Sequence, residues 1–545
     1  MSMVRLMLAE QRDRIDAADI ALAEVLVRRS EATGDAITAL AWTAAALSAA
    51  ARDGHSAIAP ASAVPAIDGW DATRWTKALK RTPAVGDADS EAPIIITQTM
   101  VQLRRYRDAE KRLAAWIRSA VATTPPRLRI ITGGPGSGKT TTIARELIPL
   151  TRANPALRVA LAAPTGKAAA RMAESIRERL DAEGADGAAR PAVPTDAKTL
   201  HRLLRYHGAT RRFRHAEDAP LGASLVIVDE ASMVDLLLMD ALVRALPDGA
   251  QLWLVGDAHQ LASVDAGDVF GAICRAGAAA SAGAPLREAV TTLTKNYRYE
   301  RHPAIGALAE SILAGDAERA LAVLDDPAQS DVSRSPLPAD AATLVAPLTA
   351  QLQRCAAAAS PTELLSALSA LRVLAPERGG RFGVERLNAA IEWWWRAQGT
   401  ATDEPWYHRR PVLVTANDYA TDVYNGDIGV VWRDGETTTV HFPAANGTTR
   451  AIAPARLPTV ESAWAMTIHK AQGSEFDEVV VVLPEEASRV LVRESLYTAV
   501  TRAKQKVTVV GSAEVLSAAI DQVTVRVSGL QEALEPPAGR RPQPR

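Results

Sequence analysis

The sequence predicts an α/β protein with two parallel-sheet domains, a helical N-terminal region and a small antiparallel insertion. Three observations predict it. From Leu128 onward, short β-branched apolar runs bounded by polar or glycine-rich turns alternate with helical patterns, as buried parallel strands do. The runs fall into two groups. Leu128–Thr132, Val159–Ala163, Leu225–Val228 and Leu252–Val255 form the first; Val479–Leu483 and Val507–Val510 lie too far downstream to join the same sheet. Between the groups, Pro411–Pro454 has a different character. Val412–Val414, Gly429–Trp432 and Thr437–Phe442 alternate with the β-turn pairs Asn425-Gly426, Asp434-Gly435 and Asn446-Gly447.

Upstream of this, Val4–Arg29 carries apolar residues at helical spacing. Ile37–Ala51 is mostly alanine, broken by Thr38, Thr43 and Ser48, and is shorter than the roughly 20 residues a bilayer span needs. It predicts a packed helix, and no membrane is expected as a partner. The N-terminus has no secretory leader pattern. Gly54–Asp89, with Pro60, Pro65 and Pro83, predicts loops at a domain edge, and Thr97–Ala122 predicts a helix that stops before Pro125-Pro126. The expected division is 1–95 for a helical N-terminal domain and 96–285 for the first α/β domain. The second α/β domain takes 286–410 and 455–533, the β insertion takes 411–454, and 534–545 is a proline- and arginine-rich disordered tail.

Among the 545 residues, Lys+Arg number 62 and Asp+Glu 63, for a formal net charge of −1. That balance excludes a histone-like nucleic-acid binder driven by bulk charge, and leaves room for a locally basic cleft. Two cysteines, Cys274 and Cys355, exclude a disulfide framework or a Cys-rich zinc cluster and fit a reducing cytoplasm.

Gly133-Gly134-Pro135-Gly136-Ser137-Gly138-Lys139-Thr140 fits the phosphate-loop pattern, with a strand before it and a helical segment, starting Thr140-Thr141, after it. Glycines let backbone N–H groups close on phosphates, and a helix N-terminus adds its dipole. Lys139 supplies a charge to the phosphates, and the Thr140 hydroxyl can ligate Mg²⁺. Val226–Val228 runs into Asp229 and Glu230. Emerging beside the phosphate loop, Asp229 would hold Mg²⁺ and Glu230 would act as general base toward water. The chain therefore reads as a nucleoside-triphosphate hydrolase. Gln260, at the end of a further strand, can sense the terminal phosphate, and Arg298 and Arg502 suit charge stabilisation on a transferring phosphoryl group. From His201 to His215 there are five arginines and no acid, with Tyr206 and Phe213 interleaved and Gly208-Ala209-Thr210 permitting a turn. This predicts a basic hairpin, within 205–220, suited to phosphate contact and base stacking.

The stretches GGPGSGKTTT, APTGKAAARM, KTLHRLL, IVDEASMVD, LVGDAHQLASV, LTKNYR, YNGDIGVV, AMTIHKAQGSEFDEVVVVLP and LYTAVTRAK follow one another from about Arg127 to Gly511. Together they resemble superfamily 1B helicases, and within them the RecD family, the alpha subunits of exodeoxyribonuclease V. The resemblance implies two RecA-like domains with ATP between them, and assigns Lys139, Thr140, Asp229 and Glu230 to ATP and Mg²⁺. It makes Gln260 a γ-phosphate contact and Arg298 and Arg502 fingers from the second domain. It implies single-stranded DNA contacts at Pro164, Thr165, Thr199 and His201 in the first domain and at Thr467, His469 and Lys470 in the second. It makes the insertion SH3-like, with Asn417 and Asn425 near the DNA path, and the hairpin bearing Arg211 and Phe213 a pin at the strand junction. It implies a 5′→3′ DNA motor acting on single-stranded and duplex-end DNA in double-strand break repair by recombination, joined to RecB and RecC subunits in a heterotrimer, with nuclease activity left to RecB. A stand-alone 5′→3′ helicase, an RNA helicase and a non-motor subunit with a vestigial ATP site are the alternatives. The Ala-rich helical residues before the phosphate loop favour docking to a partner. One departure stands: no Gln with a clear base-reading register precedes the loop, Gln102 being the nearest.

Overall fold

The structure, a computed structural model, describes residues 15–182, 194, 196–400, 403–418, 420–444 and 448–535. The expected helix before residue 15, the Asn446-Gly447 turn and the tail beyond residue 535 lie outside the described residues.

Two doubly covered parallel sheets form the body. The first has six strands in the order Val290–Thr292, Leu128–Thr132, Gln251–Gly256, Leu225–Val228, Val159–Ala163, Ala197–Thr199, all parallel. The four runs predicted for this sheet are all present. Helices Lys139–Ala153 and Gly166–Ala182 cover one face through Ile143, Leu147, Ile148, Met172 and Ile176. Helices Arg104–Val121, Leu236–Arg244 and Val269–Ala279 cover the other. The second sheet has five parallel strands, Val332–Ser335, Ala503–Val510, Phe476–Val482, Leu371–Ala375 and Ala465–Thr467, in that order. The insertion is a five-stranded antiparallel sheet around Val412, Val414, Val431, Val440 and Phe442.

Three expected boundaries move. Val290–Thr292 pairs with the phosphate-loop strand, so the first sheet runs past residue 285, and helix Pro303–Ala314 opens the second domain's core. The insertion's sheet closes with Val460–Ser462, beyond residue 454. The N-terminal region has no core of its own: Leu40, Trp75, Ile94 and Leu113 belong to one apolar cluster with Val226, Leu242 and Phe270 of the first domain. This region also contains a small sheet, Val85–Gly86, Ile94–Ile96 and Val101–Leu103, where loops and then a helix were expected. The Ile94-Ile95-Ile96 run is β-branched, and its strand neighbour takes the first residues of the Thr97–Ala122 pattern. The Ala-rich segment is helix Asp35–Arg52, packed on its buried alanines. Among the described residues no helix is long and apolar enough to cross a membrane.

The chain leaves the second domain after helix Ala513–Asp521 and returns to the first. Val527 accepts from Ser56 N and Ala57 N at 3.1 and 3.2 Å, and its own N–H donates to His55 Nδ1 at 3.0 Å. Glu110, fully buried, anchors this return. It accepts from Ser56 Oγ at 2.6 Å, Ser528 Oγ at 2.8 Å, Gly529 N at 3.0 Å and Gln102 Nε2 at 2.8 Å. A Cβ on Gly529 would lie 2.6 Å from Glu110, so the backbone approaches the carboxylate only as glycine. Helix Leu530–Leu534, where a tail was expected to begin, buries Leu530 and Leu534 in the first domain's cluster. Glu110→Ala leaves four donors without their acceptor and is expected to lower unfolding free energy by about 3 kcal/mol. Glu110→Gln is expected to keep most of it. Urea midpoints at unchanged m-value check both.

Candidate active site

The phosphate loop joins strand Leu128–Thr132 to helix Lys139–Ala153. Gly136 and Gly138 both have φ 82°, left-handed values that open the loop. A Cβ on Gly136 would sit 2.7 Å from Arg298 Cβ. The segment after Val290–Thr292 lies along the loop and fixes it. Asn296 Nδ2 donates to Pro135 O at 2.7 Å, and Tyr297 N donates to Gly136 O at 3.1 Å. Lys139 Nζ donates to Gly133 O at 2.6 Å and Gly134 O at 3.1 Å, which holds the ammonium over the loop.

A cavity of about 300 Å³ opens on the outer side of the loop. It gathers Gly136, Lys139, Thr140 and Thr141 with Asp229, Glu230, Gln260 and Arg502. Pro135 and Gly138 line it too, whereas Gly133, Gly134 and Ser137 face a larger cavity on the loop's inner side. The carboxylate strand Leu225–Val228 is not the loop strand's neighbour; Gln251–Gly256 lies between them. Asp229 and Glu230 nevertheless face the loop, because parallel strands end at one edge. Burial, and then the charge of Glu230, pushes the Asp229 carboxyl up against the pull of Lys139. Glu230 sits at φ 51°, and its N–H donates to Asp229 Oδ1 at 2.9 Å.

Arg502, 2% exposed, comes from the residue before strand Ala503–Val510. Its Nε donates to Thr498 O at 3.1 Å and one Nη to Ser474 O at 3.2 Å, while Nη2 is buried without a partner. The Ser137 hydroxyl is likewise buried and unpartnered. An unmet guanidinium donor beside the cavity fits an anion. Two adjacent carboxylates, one of them raised by burial and then by its neighbour, fit a divalent cation. Among the described residues no group of three or more His, Cys, Asp or Glu side chains could hold a metal. A cation bound here relies on few protein ligands and on phosphate oxygens, as Mg²⁺ does.

Arg298 lies on the segment crossing between the domains, beside Gly136 of the phosphate loop, and pairs with Glu475 while donating to Thr501 O at 3.2 Å. Glu475 also pairs with Arg171 of the first domain at 2.6 Å. Burial alone would raise the Glu475 carboxyl, but Arg171 and Arg298 outweigh it and hold it at about 2. Arg171 donates further to Gly473 O at 3.1 Å, and Lys167 Nζ to Ser474 Oγ at 2.9 Å. These contacts join the two domains. Arg171, Glu475, Asn296, Asp257 and Tyr497 were not singled out from the sequence. Each lies inside a recognised stretch, so residue type was visible while its partner was not.

The residues expected along DNA fall at strand ends. Pro164 and Thr165 follow Val159–Ala163, Thr199 ends Ala197–Thr199, and Thr467 ends Ala465–Thr467. Each threonine hydroxyl accepts a backbone N–H three residues on, from Ala168 at 3.2 Å, Arg202 at 3.3 Å and Lys470 at 3.3 Å. The pairing of Ala163 with Thr199 puts Thr199 at the same sheet edge from which Pro164 and Thr165 emerge. A Cβ on Gly473 would lie 3.6 Å from Thr165 Oγ1, so the second domain's loop faces them. Lys470 pairs with Glu461, and burial lowers His469 so that its ring stays neutral near pH 7. In the insertion, Asn417 Oδ1 accepts from Asn425 N at 2.9 Å.

The basic hairpin is Tyr206–His207 paired with Arg212–Phe213. Its aromatics are half-buried and pack on one another. Phe213 packs on Tyr206 and His201 at 5.1 and 5.8 Å between ring centroids, and so builds the hairpin's base. Burial lowers His201. Arg211, at φ 51°, and Arg205, Arg212 and Arg214 are exposed, with no ion pair to another described residue. Gln102 is buried and donates to Glu110, which removes it as a base reader.

Residues 117–266 match the family described as AAA domain, and 462–510 match the UvrD-like helicase C-terminal domain. The RecBCD enzyme subunit RecD of Mycobacterium tuberculosis is 42% identical over 439 residues, covering 78% of this chain and 73% of that one. The RecBCD enzyme subunit RecD of Haemophilus influenzae is 34% identical over 80% of this chain and 74% of its own. The ATP-dependent RecD2 DNA helicase of Deinococcus radiodurans is 32% identical over 74% of this chain but only 54% of its own. Among solved structures, Bacteroides Pif1 bound to ssDNA aligns with a TM-score of 0.41 and 17% identity over 73% of this chain and 93% of that one. Identity of this extent across most of both chains settles kinship: the chain belongs to the RecD family of ATP-dependent DNA helicases.

Proposed function

We propose that the chain is a 5′→3′ single-stranded DNA motor that works in the cytoplasm as one subunit of a RecBCD-type heterotrimer, with RecB- and RecC-like partners, on duplex ends during recombinational repair. The observation that carries the motor reading is the buried, unpartnered Nη2 of Arg502 beside a cavity that also takes Lys139 and Glu230. Such a donor waits for negative charge that the chain itself does not supply.

In this reading ATP lies in the cavity between the domains. The helix N-terminus, the N–H groups of Gly136 and Gly138 on the cavity side of the loop, and Lys139 hold its phosphates. Thr140 and Asp229 would hold Mg²⁺, which supplies charge neutralisation at the phosphate oxygens. Glu230 accepts the proton of the attacking water, and Gln260 reports on the terminal phosphate. Arg502 stabilises charge on the transferring group, and Arg298 acts from the crossing segment through Glu475.

DNA runs over the strand ends at Pro164, Thr165, Thr199, His201, Thr467, His469 and Lys470, under the insertion at Asn417 and Asn425. The hairpin acts as the pin through exposed arginines carried on a base that Phe213 stiffens. The N-terminal region is the docking surface for partner subunits.

Lys139→Ala is expected to abolish single-strand-stimulated ATP hydrolysis. Arg502→Ala is expected to keep nucleotide binding while hydrolysis falls about 10³-fold. Full turnover in either variant would remove the motor reading. Replacing Arg211 and Arg212 with alanine is expected to reduce the steepness of log K against log salt by about 1.4 on single strands, the loss of two phosphate contacts. Co-expression with RecB and RecC partners is expected to give one co-eluting complex in size exclusion; a lone monomer with strong unwinding activity would overturn the subunit assignment.

A further inference from the structure

Tyr497 lies on helix Arg493–Val500 of the second domain and is buried, yet its hydroxyl acts on the first domain. It donates to Asp257 Oδ2 at 3.1 Å. The same oxygen accepts from Gln260 Nε2 at 3.0 Å, and Asp257 Oδ1 accepts from His259 N at 3.0 Å. The hydroxyl also rests against the phosphate loop, where a Cβ on Gly134 would come within 2.9 Å of it. The adjoining residues grip the same turn. Thr498 Oγ1 accepts from Leu261 N at 3.0 Å, and Gln472 Nε2 donates to Leu261 O at 2.8 Å. The turn from Asp257 to Leu261 is thus built by the first domain and held at both ends by the second.

The chemistry of the groups sets their orientation. An ionised carboxylate only accepts, so the Gln260 amide must turn its nitrogen to Asp257. That leaves Gln260 Oε1 as the atom turned from Asp257, an acceptor suited to a water hydrogen, so Gln260 reports on the terminal phosphate through the water that attacks it. Burial, and then the neighbouring Asp257 charge, keeps the Tyr497 phenol protonated, so it remains the donor.

We propose that Tyr497 is a positioning residue for hydrolysis: its hydroxyl fixes the Asp257 carboxylate, which fixes Gln260 so that Oε1 orients the attacking water only while the second domain is seated on the first. This deepens, and rests on, the reading of Gln260 as a residue of the ATP site. Without the hydroxyl, Asp257 Oδ2 keeps one donor of two. The carboxylate turns to recover the lost bond, and the Gln260 amide turns with it.

The test is steady-state ATP hydrolysis by the full chain with saturating single-stranded DNA. Tyr497→Phe keeps the ring and removes one oxygen. It is expected to lower kcat about tenfold, with KM for ATP and the thermal midpoint nearly unchanged. Added to Gln260→Ala, it is expected to lower kcat no further, because the two act in series. An equal further loss in the Gln260→Ala background overturns the proposal, as does a lowered thermal midpoint with kcat intact. If Gln260→Ala alone keeps full turnover, the ATP-site reading of Gln260 fails, and the proposal with it; that outcome is distinct from a failed link to Tyr497.

Discussion

In a parallel sheet every strand ends at the same edge, and the rest of this molecule depends on that constraint. In the first sheet the shared edge carries Gly133, Pro164, Thr199, Asp229 and Asp257, each directly after the last residue of a strand or at it. Chemistry that needs several loops at once comes from one edge without any loop having to travel. The second sheet meets this edge partly with the opposite end of its own strands. Glu475 and Arg502 stand immediately before two neighbouring strands, whose first residues, Phe476 and Ala503, are paired. Strand-ending residues of one sheet thus face strand-starting residues of the other. The cleft between them is where backbone N–H groups, carboxylates and guanidinium groups converge.

Charge explains why that cleft holds together. Net charge near zero says little about a chain in which ten of 62 basic residues are lysine and the arginines serve quite different local roles. Arg372 is fully buried beneath the Phe476 ring, at 5.0 Å, and donates to the carbonyls of Ala463 and Leu368. Arg171 and Arg298 share Glu475 from two different parts of the chain. Planar forked donors can satisfy carbonyls and carboxylates at fixed angles, which a lysine ammonium does not. Arg372 and Arg502 each keep one buried nitrogen unmet, and of the two only Arg502 lines the cavity beside Lys139 and Glu230. The exposed hairpin arginines differ in another way, since their charge is presented to water and to whatever polyanion approaches.

Four of the first sheet's six strands were legible as short apolar runs, whereas Ala197–Thr199 and Val290–Thr292 are three residues long and show none. Leu128–Thr132, Val159–Ala163 and Leu225–Val228 lie where the pattern puts them. The second sheet was half legible. Val332–Ser335 and Leu371–Ala375 each carry an arginine inside the strand, and Ala465–Thr467 is three residues long, so none shows an apolar run. Loop and helix signals misled between Gly54 and Leu103, where Ile94–Ile96 finds partners that local pattern does not reveal. Phosphate-loop chemistry is contiguous and could be read directly. The Glu475 and Tyr497 contacts could not, because each partner lies hundreds of residues away or in the other domain. The packing of Phe213 on Tyr206 and His201 could not be read either, because composition does not show which rings an aromatic meets.

The returning segment alters what motion between the domains can be. The polypeptide passes from one body to the other twice, first through the residues that follow Thr292 and again between Gln522 and Gly529. A body tethered at a single point can tumble about it in three directions. A body tethered at two points keeps one rotation, about the line that joins them. Glu110 and the Val527 backbone bonds fix one of those points on the first domain, and Asn296 on the phosphate loop fixes the other. Opening and closing, where it occurs, would then be a swing about a fixed axle. The distance from that axle to the strand-end threonines, rather than any looseness in the linkers, sets the arc through which they move.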